Sequence, residues 1–509
     1  MNILVDAKTM QDLDDYTINE IGIPSLVLME RAALSFVNCM VKHISKNDKI
    51  LAICGSGNNG ADAIAAARIL HLKGYDVNIL LLSNINKCSE ESITQINIAK
   101  KLGISLYNNI DINEYNIIID GILGIGLNSK VRGKYLDYIV QINNGDNIVF
   151  SIDIPSGLSA TSGKALGMAI QADYTITFGY NKIGLVLYPG CEIAGQVIVA
   201  DIGFPEIKFD EKDIKHISYD QTDLCKMPTR TNDSHKGDYG KVLVIAGSTG
   251  MNGACYLASK GAYRTGSGLV KALVPEENRG IMQTMLPEAI VSTYQNGQTL
   301  SDSDLSQIIE DISWANVIVV GPGLGTHNIS LELLKMVLEN TKVPIVIDAD
   351  GINLLGEIIN NKENSESPED RIQILKDLLP NNTIITPHLK ELSRLLNIEL
   401  SLIQDDILDI ANTCTKNNSI IFVLKDARTI VAYENCRFIN TRGNNGMSTA
   451  GSGDVLTGII ASLIGQGLNP SEGASLGVYI HGLAGDIAAK EKNQYSIIAS
   501  DIIEGLAKI

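Results

Sequence analysis

No stretch of this 509-residue chain approaches the roughly 20 consecutive apolar residues that a bilayer-crossing helix requires. Its longest apolar runs, around 116–120 and at Val317–Val320, are strand-sized and interrupted by glycine or charge. The first ten residues, MNILVDAKTM, carry no basic segment followed by an apolar core, so no secretory leader is expected there. Basic clusters are missing too. Lys and Arg number 41 against 58 Asp and Glu, a formal charge of −17. With no basic face to oppose that field, a nucleic-acid partner is not expected, nor is a membrane. The eight cysteines (39, 54, 88, 191, 225, 255, 414 and 436) form no Cys-x-x-Cys pair. In an intracellular chain they read as buried thiols, with Cys54, at the end of an apolar strand, in the core. Repeats at solenoid periods are absent. What is present is the composition of a folded cytoplasmic protein, 45% hydrophobic and 19% charged. The length exceeds one ordinary core and suits two domains.

Both halves alternate short β-rich runs with helix-sized amphipathic stretches, the pattern of a parallel sheet flanked by helices. In the first half, strands are expected at Lys49–Cys54, 76–82, 115–120, 147–153, 172–178 and Gln196–Ala200. GSGNNGAD reads as a loop and 62–73 as a helix, closed by Gly74 in a left-handed cap. From 205 to about 226 the pattern dissolves into polar sequence and predicts a linker. Strand signals resume at Lys241 and recur at 268–274, 315–321, 343–348, 383–386 and 419–424. The polar run NNKENSESPED at 360–370 predicts a surface loop. The expected architecture is two three-layer α/β domains, 1–215 and 226–509.

The strongest local feature is NNGMSTAGSGDVLTG at 444–458. Small residues run directly into Asp454 and an apolar helix, so unpaired backbone N–H groups and the positive end of the helix dipole form an anion hole. Asp454 is then placed to take a proton from a hydroxyl attacking a phosphate. An aspartate N-cap behind a flexible turn is the plainer alternative. Four more polar or glycine-rich loops end strands of the same half: GPGLG (321–325), DAD (348–350), TPH (386–388) and LKDART (424–429). Ligands of open α/β sheets collect at such ends. SHKGDYGKVLVIAGSTGMNGA (234–254), GPGLG, TPHLKE, LKDART and GNNGMSTAGSGDVLTGII together resemble the ADP/ATP-dependent NAD(P)H-hydrate dehydratases of the ribokinase-like superfamily, over nearly all of 230–509. The resemblance implies that Gly453 and the loop Lys425, Asp426, Ala427, Arg428 and Thr429 contact an adenine nucleotide, ADP or ATP with Mg2+. It also implies that Ala254, Gly323, His388 and Asp454 contact the hydrated nicotinamide nucleotide. Asp426 and Lys390 stand where the family has Gly, and Ser452 where it has Thr. For His388, a helix-capping or core role is the alternative.

In the first half, GSGNNG (55–60) follows a strand and opens a helix. A dinucleotide-binding Rossmann unit would also need an acidic residue at the end of the second strand, where Ser83 and Asn84 stand, so the dehydrogenase reading lacks its other half. Asn58, Asn59 and Asp62, Asp120 after YNIII, and Asp153 and Ser156 in SIDIPSG offer oxygens at three strand ends. Such oxygens suit a monovalent cation or the polar parts of a nucleotide; Asp153 as a simple turn carboxylate is the alternative. GIPSLVLMERAA, GSGNNGADA, DGILGIGL and SIDIPSGLSA resemble the NAD(P)H-hydrate epimerase domain, Rossmann-like, over roughly 1–215. The family's NNGGDG is NNGADA here, so Ala61 and Ala63 replace glycines, and the Ala61 methyl is expected to tighten the pocket.

By position, the epimerase resemblance implies a potassium ion held by Asn59, Asp120 and Ser156. The substrate would lie against Asn58, Asn59, Gly60, Ala61 and Asp62, the loop Gly124, Ile125, Gly126, Leu127, Asn128, Ser129 and Lys130, and Asp153, the candidate proton-transferring carboxylate. Together the two resemblances imply a bifunctional repair enzyme, a homo-oligomer acting on NADHX and NADPHX. One domain would interconvert the R and S hydrates and the other dehydrate the S form at the expense of ADP or ATP. The rival is a small-molecule kinase carrying a non-catalytic N-terminal nucleotide-binding module.

Overall fold

The computed structural model describes every residue except 208–212, 298 and 363–365. Two compact units divide the chain, Ile3–Asp210 and Glu211–Ile509 with Met1 and Asn2. Among the described residues no helix is long and apolar enough to cross a membrane.

The first unit is built on seven parallel strands in the spatial order Leu106–Tyr107, Asp76–Leu81, Lys49–Cys54, Ile117–Gly121, Ile148–Ile152, Tyr174–Phe178 and Gln196–Ala200. Side chains alternate between the two faces of a strand, so each central strand feeds two cores. Ile50, Ala52 and Cys54 join the core beneath helices Ser25–Met40 and Asn58–Leu72. Leu51 and Ile53 join the one that contains Tyr138, Ile139 and Ile142 of helix Lys134–Asn143. The helix expected at 62–73 begins four residues earlier, at Asn58. Gly74 closes it with φ +81°, and the Tyr75 N–H returns to the Leu70 carbonyl. A short pair that sequence reasoning missed joins Asn2–Val5 to Asn181–Lys182.

In the second unit, seven parallel strands run Ile290–Tyr294, Leu269–Pro275, Lys241–Ile245, Val317–Val320, Ile345–Ile347, Ile384–Ile385 and Ile421–Leu424. Ile430–Tyr433 and Cys436–Ile439 extend the sheet as an antiparallel hairpin. Lys215–Ser218 then pairs in parallel with the hairpin's outer strand. That strand corrects the expected linker. Within 205–226, residues 208–212 lie outside the described structure, but Ile217 and Tyr219 are buried in the second unit's core, and a 3-10 turn follows at Gln221–Lys226. The expected 360–370 loop is likewise shortened, by helices Asp350–Asn360 and Pro368–Leu378, with 363–365 outside the described residues.

Helices Asn252–Arg264, Ser452–Gly465 and Pro470–Lys492 cover one face of this sheet. The first two cross at glycine. A Cβ on Gly458 would lie 2.0 Å from the Ala258 carbonyl oxygen, so only glycine permits the approach that positions the Ser452 end. Cysteine burial departs from expectation: Cys54, Cys255 and Cys414 are buried, Cys225 is exposed, and the other four lie between.

Candidate active sites

Strands Lys49–Cys54 and Ile117–Gly121 lie side by side, yet each sends the chain on to a strand on its own outer flank. This is the switch point of the first sheet, where an open α/β fold leaves a crevice. A cavity of about 750 Å³ opens there, lined by Asn58, Asn59, Asp62, Gly124 to Asn128, and Asp153. The tight turn after Cys54 is imposed by backbone contact, since a Cβ on Gly55 would meet the Ile122 carbonyl oxygen at 1.9 Å and one on Gly60 the Gly55 oxygen at 2.3 Å.

Four expected substrate contacts fall outside the cavity lining: Gly60, Ala61, Ser129 and Lys130. Gly60 packs on the turn backbone, Ala61 is fully buried, and Ser129 and Lys130 are exposed beyond the loop. The Ala61 methyl therefore does not tighten the pocket.

Asp120 is fully buried and saturated. Its Oδ1 accepts from the Ile122 N–H (3.2 Å) and the Ser156 hydroxyl (2.5 Å), its Oδ2 from the Ser151 hydroxyl and the Ser156 N–H (both 2.8 Å). Burial raises its carboxyl, and these bonds pull it back. The Ser156 Oγ also accepts from the Leu123 N–H at 2.8 Å, while the Asn59 amide donates to the Leu123 carbonyl at 2.9 Å. Asn59 and Ser156 thus both bond the backbone of Leu123, and Asp120 holds Ser156 from behind.

Asp153 adopts φ +63°, a left-handed conformation costly for a non-glycine residue and found where a site constrains the chain. Its Oδ1 accepts from the Thr177 hydroxyl (3.0 Å), the Phe178 N–H (3.1 Å) and Lys182 Nζ. The Lys182 side chain is wholly buried and also donates to Thr177 Oγ1 and the Phe178 carbonyl. Sequence reasoning missed Lys182, although a lysine in the apolar run around 181–187 was a signal. It also missed Asp14, which lines the same cavity. Burial, then Asp153, pushes Asp14 up to about 6 against the pull of Lys182, and burial pushes Asp62 well above the usual carboxylate range.

In the second unit, helix Ser452–Gly465 starts at Gly451, with φ +86°. Asp454 lies in its first turn, its carboxyl raised to about 6 by burial and by the neighbouring Asp348. Asp348, at the end of strand Ile345–Ile347, is buried. Burial alone would raise it, but Lys425 and hydrogen bonds from Thr386 and Thr457 hold it below its ordinary value. Lys425 Nζ lies 2.6 Å from Asp348 Oδ1, and the Thr457 hydroxyl donates to Oδ2 at 2.9 Å. A Cβ on Gly453 would sit 3.3 Å from Lys425 Nζ. The helix N-terminus and the lysine of LKDART therefore share one locus, as an anion site requires. Asp426 and Ala427, in the same loop, are exposed, and Thr429 donates to the Asp426 carbonyl at 3.3 Å. Arg428 donates to the Thr441 carbonyl at 3.0 Å.

Gly323 and Ala254 are neighbours: a Cβ on Gly323 would come within 2.9 Å of the Ala254 methyl. His388 takes the capping role weighed above. Its Nδ1 accepts from the Lys390 and Glu391 N–H groups at 3.1 Å, and Glu391 accepts from the His388 N–H in return. A buried His481, held neutral with its pKa lowered to about 4 by burial, contacts the Ser452 hydroxyl at 3.3 Å.

These features define a two-module α/β enzyme, with strand-end sites in both modules and a phosphate-type cradle in the second. The NAD(P)H-hydrate dehydratase family matches residues 242–508, and the YjeF-related protein N-terminus matches 25–184. A bifunctional NAD(P)H-hydrate repair enzyme Nnr from Moorella thermoacetica is 35% identical over 99% of this chain and 96% of its own. The Escherichia coli protein of that description is 33% identical, over 90% and 84%. The chain belongs to the bifunctional NAD(P)H-hydrate repair enzyme family. Among solved structures, a ribokinase-like superfamily protein from Enterococcus faecalis is 26% identical, with a TM-score of 0.49 over 60% of this chain and 97% of that one. A Bacillus subtilis ADP/ATP-dependent NAD(P)H-hydrate dehydratase is 24% identical, with a TM-score of 0.45 over 55% and 92%.

Proposed function

We propose that the first unit interconverts the R and S hydrates of NADH and NADPH, and that the second dehydrates the S hydrate with ADP or ATP. The observation that carries this reading is relatedness of the whole chain, both modules together, to repair enzymes of that description. The chemistry is coherent. Hydroxide is a poor leaving group, so the second unit would phosphorylate the substrate hydroxyl. Phosphate then departs with the C–O bonding electrons, the neighbouring carbon loses a proton, and the ring double bond of the dihydronicotinamide re-forms. Asp454 would accept the hydroxyl proton as the bond to phosphorus forms. Gly451 to Gly453 and Lys425 would hold the phosphates of the nucleotide, with Mg2+ supplying further neutralising charge. The loop Lys425 to Thr429 would carry the rest of the nucleotide, and Ala254, Gly323 and His388 the nicotinamide hydrate.

In the first unit Asp153, ion-paired with Lys182, would move the proton of the hydroxyl on the hydrated carbon, with the substrate along Asn58, Asn59, Asp62 and Gly124 to Asn128. Asn59, Asp120 and Ser156 carry an amide oxygen, one carboxylate and a hydroxyl, a donor set that fits a monovalent ion. To hold one, the Asn59 amide, whose nitrogen faces Leu123, turns its oxygen inward and Asp120 gives up one of its four hydrogen bonds. Potassium held there would add positive charge and brace the loop at Leu123. The substrates are expected in the cytoplasm, and the working form is a homo-oligomer.

The test is one assay: purified protein, mixed NADHX epimers, and ADP or ATP. Both epimers should be consumed, releasing free phosphate and the absorbance of the dihydronicotinamide. A stable phosphoester in place of these products would make the protein a small-molecule kinase.

A further inference from the structure

We propose that Asp14 is a second proton-transferring residue of the first unit's site, working with Asp153 as an acid–base pair on the hydroxyl of the hydrated carbon. The proposal rests on the epimerase reading above and deepens it. Inverting the hydrated carbon requires no redox change, only that its C–O bond break and re-form. The hydroxyl leaves as water, carrying a proton from an acid on its face, while the lone pair of the adjacent ring nitrogen forms a C=N double bond. Water then adds from the other face, giving its proton to a base as the C=N pair returns to nitrogen. An inverting site therefore needs two groups, one protonated and one ionised.

The cavity supplies both. Asp14, Asp62, Asp153 and Lys182 all line it. Asp153 is ion-paired with the buried Lys182, one of three donors on its Oδ1. Asp14 and Asp62 differ: among the described residues no hydrogen bond holds either carboxyl. Asp14 is brought to the site by the short parallel pair Leu4↔Asn181 and Val5↔Lys182, which sets the start of helix Ala7–Asp15 beside the lysine. The chain then widens into a π turn at Tyr16–Glu20, with Thr17 bonded back to the Leu13 carbonyl at 2.7 Å, a distortion common at functional positions.

Magnitude decides between the two free carboxyls. Burial, then Asp153 and Asp14, raise Asp62 well above the ordinary carboxylate range. Asp14, raised by burial and by Asp153 and Asp15 and pulled down by Lys182, reaches only about 6. It can therefore give up its proton and be reloaded from solvent. Of the other two acids on the lining, Glu91 is engaged by the Ser25 hydroxyl at 2.9 Å and Asp15 is exposed.

The experiment is epimerisation of purified R-NADHX by the full chain without nucleotide, the epimers being separated by chromatography. Asp14→Asn should lower kcat about 100-fold or more with KM changed little, and Asp14→Glu should recover part of the rate. Because Asp14 must be protonated, wild-type kcat/KM should fall as pH rises through about 6, a limb absent from Asp14→Asn. Wild-type kcat and pH profile in Asp14→Asn, or a loss confined to KM, would overturn the assignment. Should that variant not fold, the wild-type profile decides alone, and an unchanged rate across that pH range overturns it. A wild-type chain that does not epimerise sinks the epimerase reading and this proposal with it. Epimerisation abolished by Asp153→Asn but intact in Asp14→Asn sinks only the role of Asp14.

Discussion

Asp454 and Asp153 are assigned similar work but held by opposite means. Asp454 is left to burial and to repulsion from Asp348, which bring it to about 6, whereas Asp153 is paired with a buried lysine. A base must be ionised to act, so dehydration of the S hydrate should decline as pH falls through about 6. Asp454→Asn keeps the shape, removes the base, and is expected to cost roughly 100-fold or more in rate while abolishing that acid limb. A pH–rate profile of wild type and variant checks both, and a variant dehydrating at near wild-type rate would refute the role. At this scale the sequence was legible where a residue type marks a turn, as in GSGD or DIPSG. Asp14 was not legible, because it is one of three aspartates at 12, 14 and 15 on an amphipathic helix, and only packing shows that 14 and 15 reach the cavity and that Asp14 is the partly buried one.

The loop after strand Ile117–Gly121 shows how an element can be both anchored and available. Four donors on Asp120 tie the loop's start to the Ser156 turn, and the Asn59 amide ties the Leu123 carbonyl to the helix beside it. If potassium binds among Asn59, Asp120 and Ser156, epimerisation should be faster in potassium than in a bulky organic cation of equal ionic strength. Thallium-soaked crystals should show an anomalous peak among the three side chains. Equal rates and no peak would leave Asp120 as a loop anchor alone. The element boundary misjudged from sequence belongs to this region. Asn-Asn-Gly reads as turn chemistry, but burial of Gly60 and Ala61 against the strand ends draws those residues into the helix.

Each unit has its own hydrophobic cores and its own run of seven parallel strands, so each should fold alone. Residues 1–207 and 213–509 are the pieces to express. The second should consume the S hydrate and stall on the R hydrate; equal consumption of both epimers would remove the reason to assign epimerisation to the first. Starting the second piece at 230 instead deletes strand Lys215–Ser218 and takes Ile217 and Tyr219 out of the core. At about 1.5–3 kcal/mol for each large side chain, its Tm should be lower by roughly 5 °C or more. Equal melting temperatures would show that strand Lys215–Ser218 adds nothing.

By itself the sequence determined the α/β class, most of the strands and the strand-end loops that carry the sites. Apolar runs of strand length, and glycine turns opening helices, are local signals that arise from burial and backbone sterics alone. Only the tertiary structure decided which distant residues meet. The strand at 215–218 lies in polar sequence and is stabilised by pairing with a strand more than 200 residues away. Lys182 draws its meaning from Asp153, Lys425 from Asp348 and Asp14 from the cavity wall, because a buried charge is tolerable only beside its partner. That partnership comes from strand order, which no window of sequence contains.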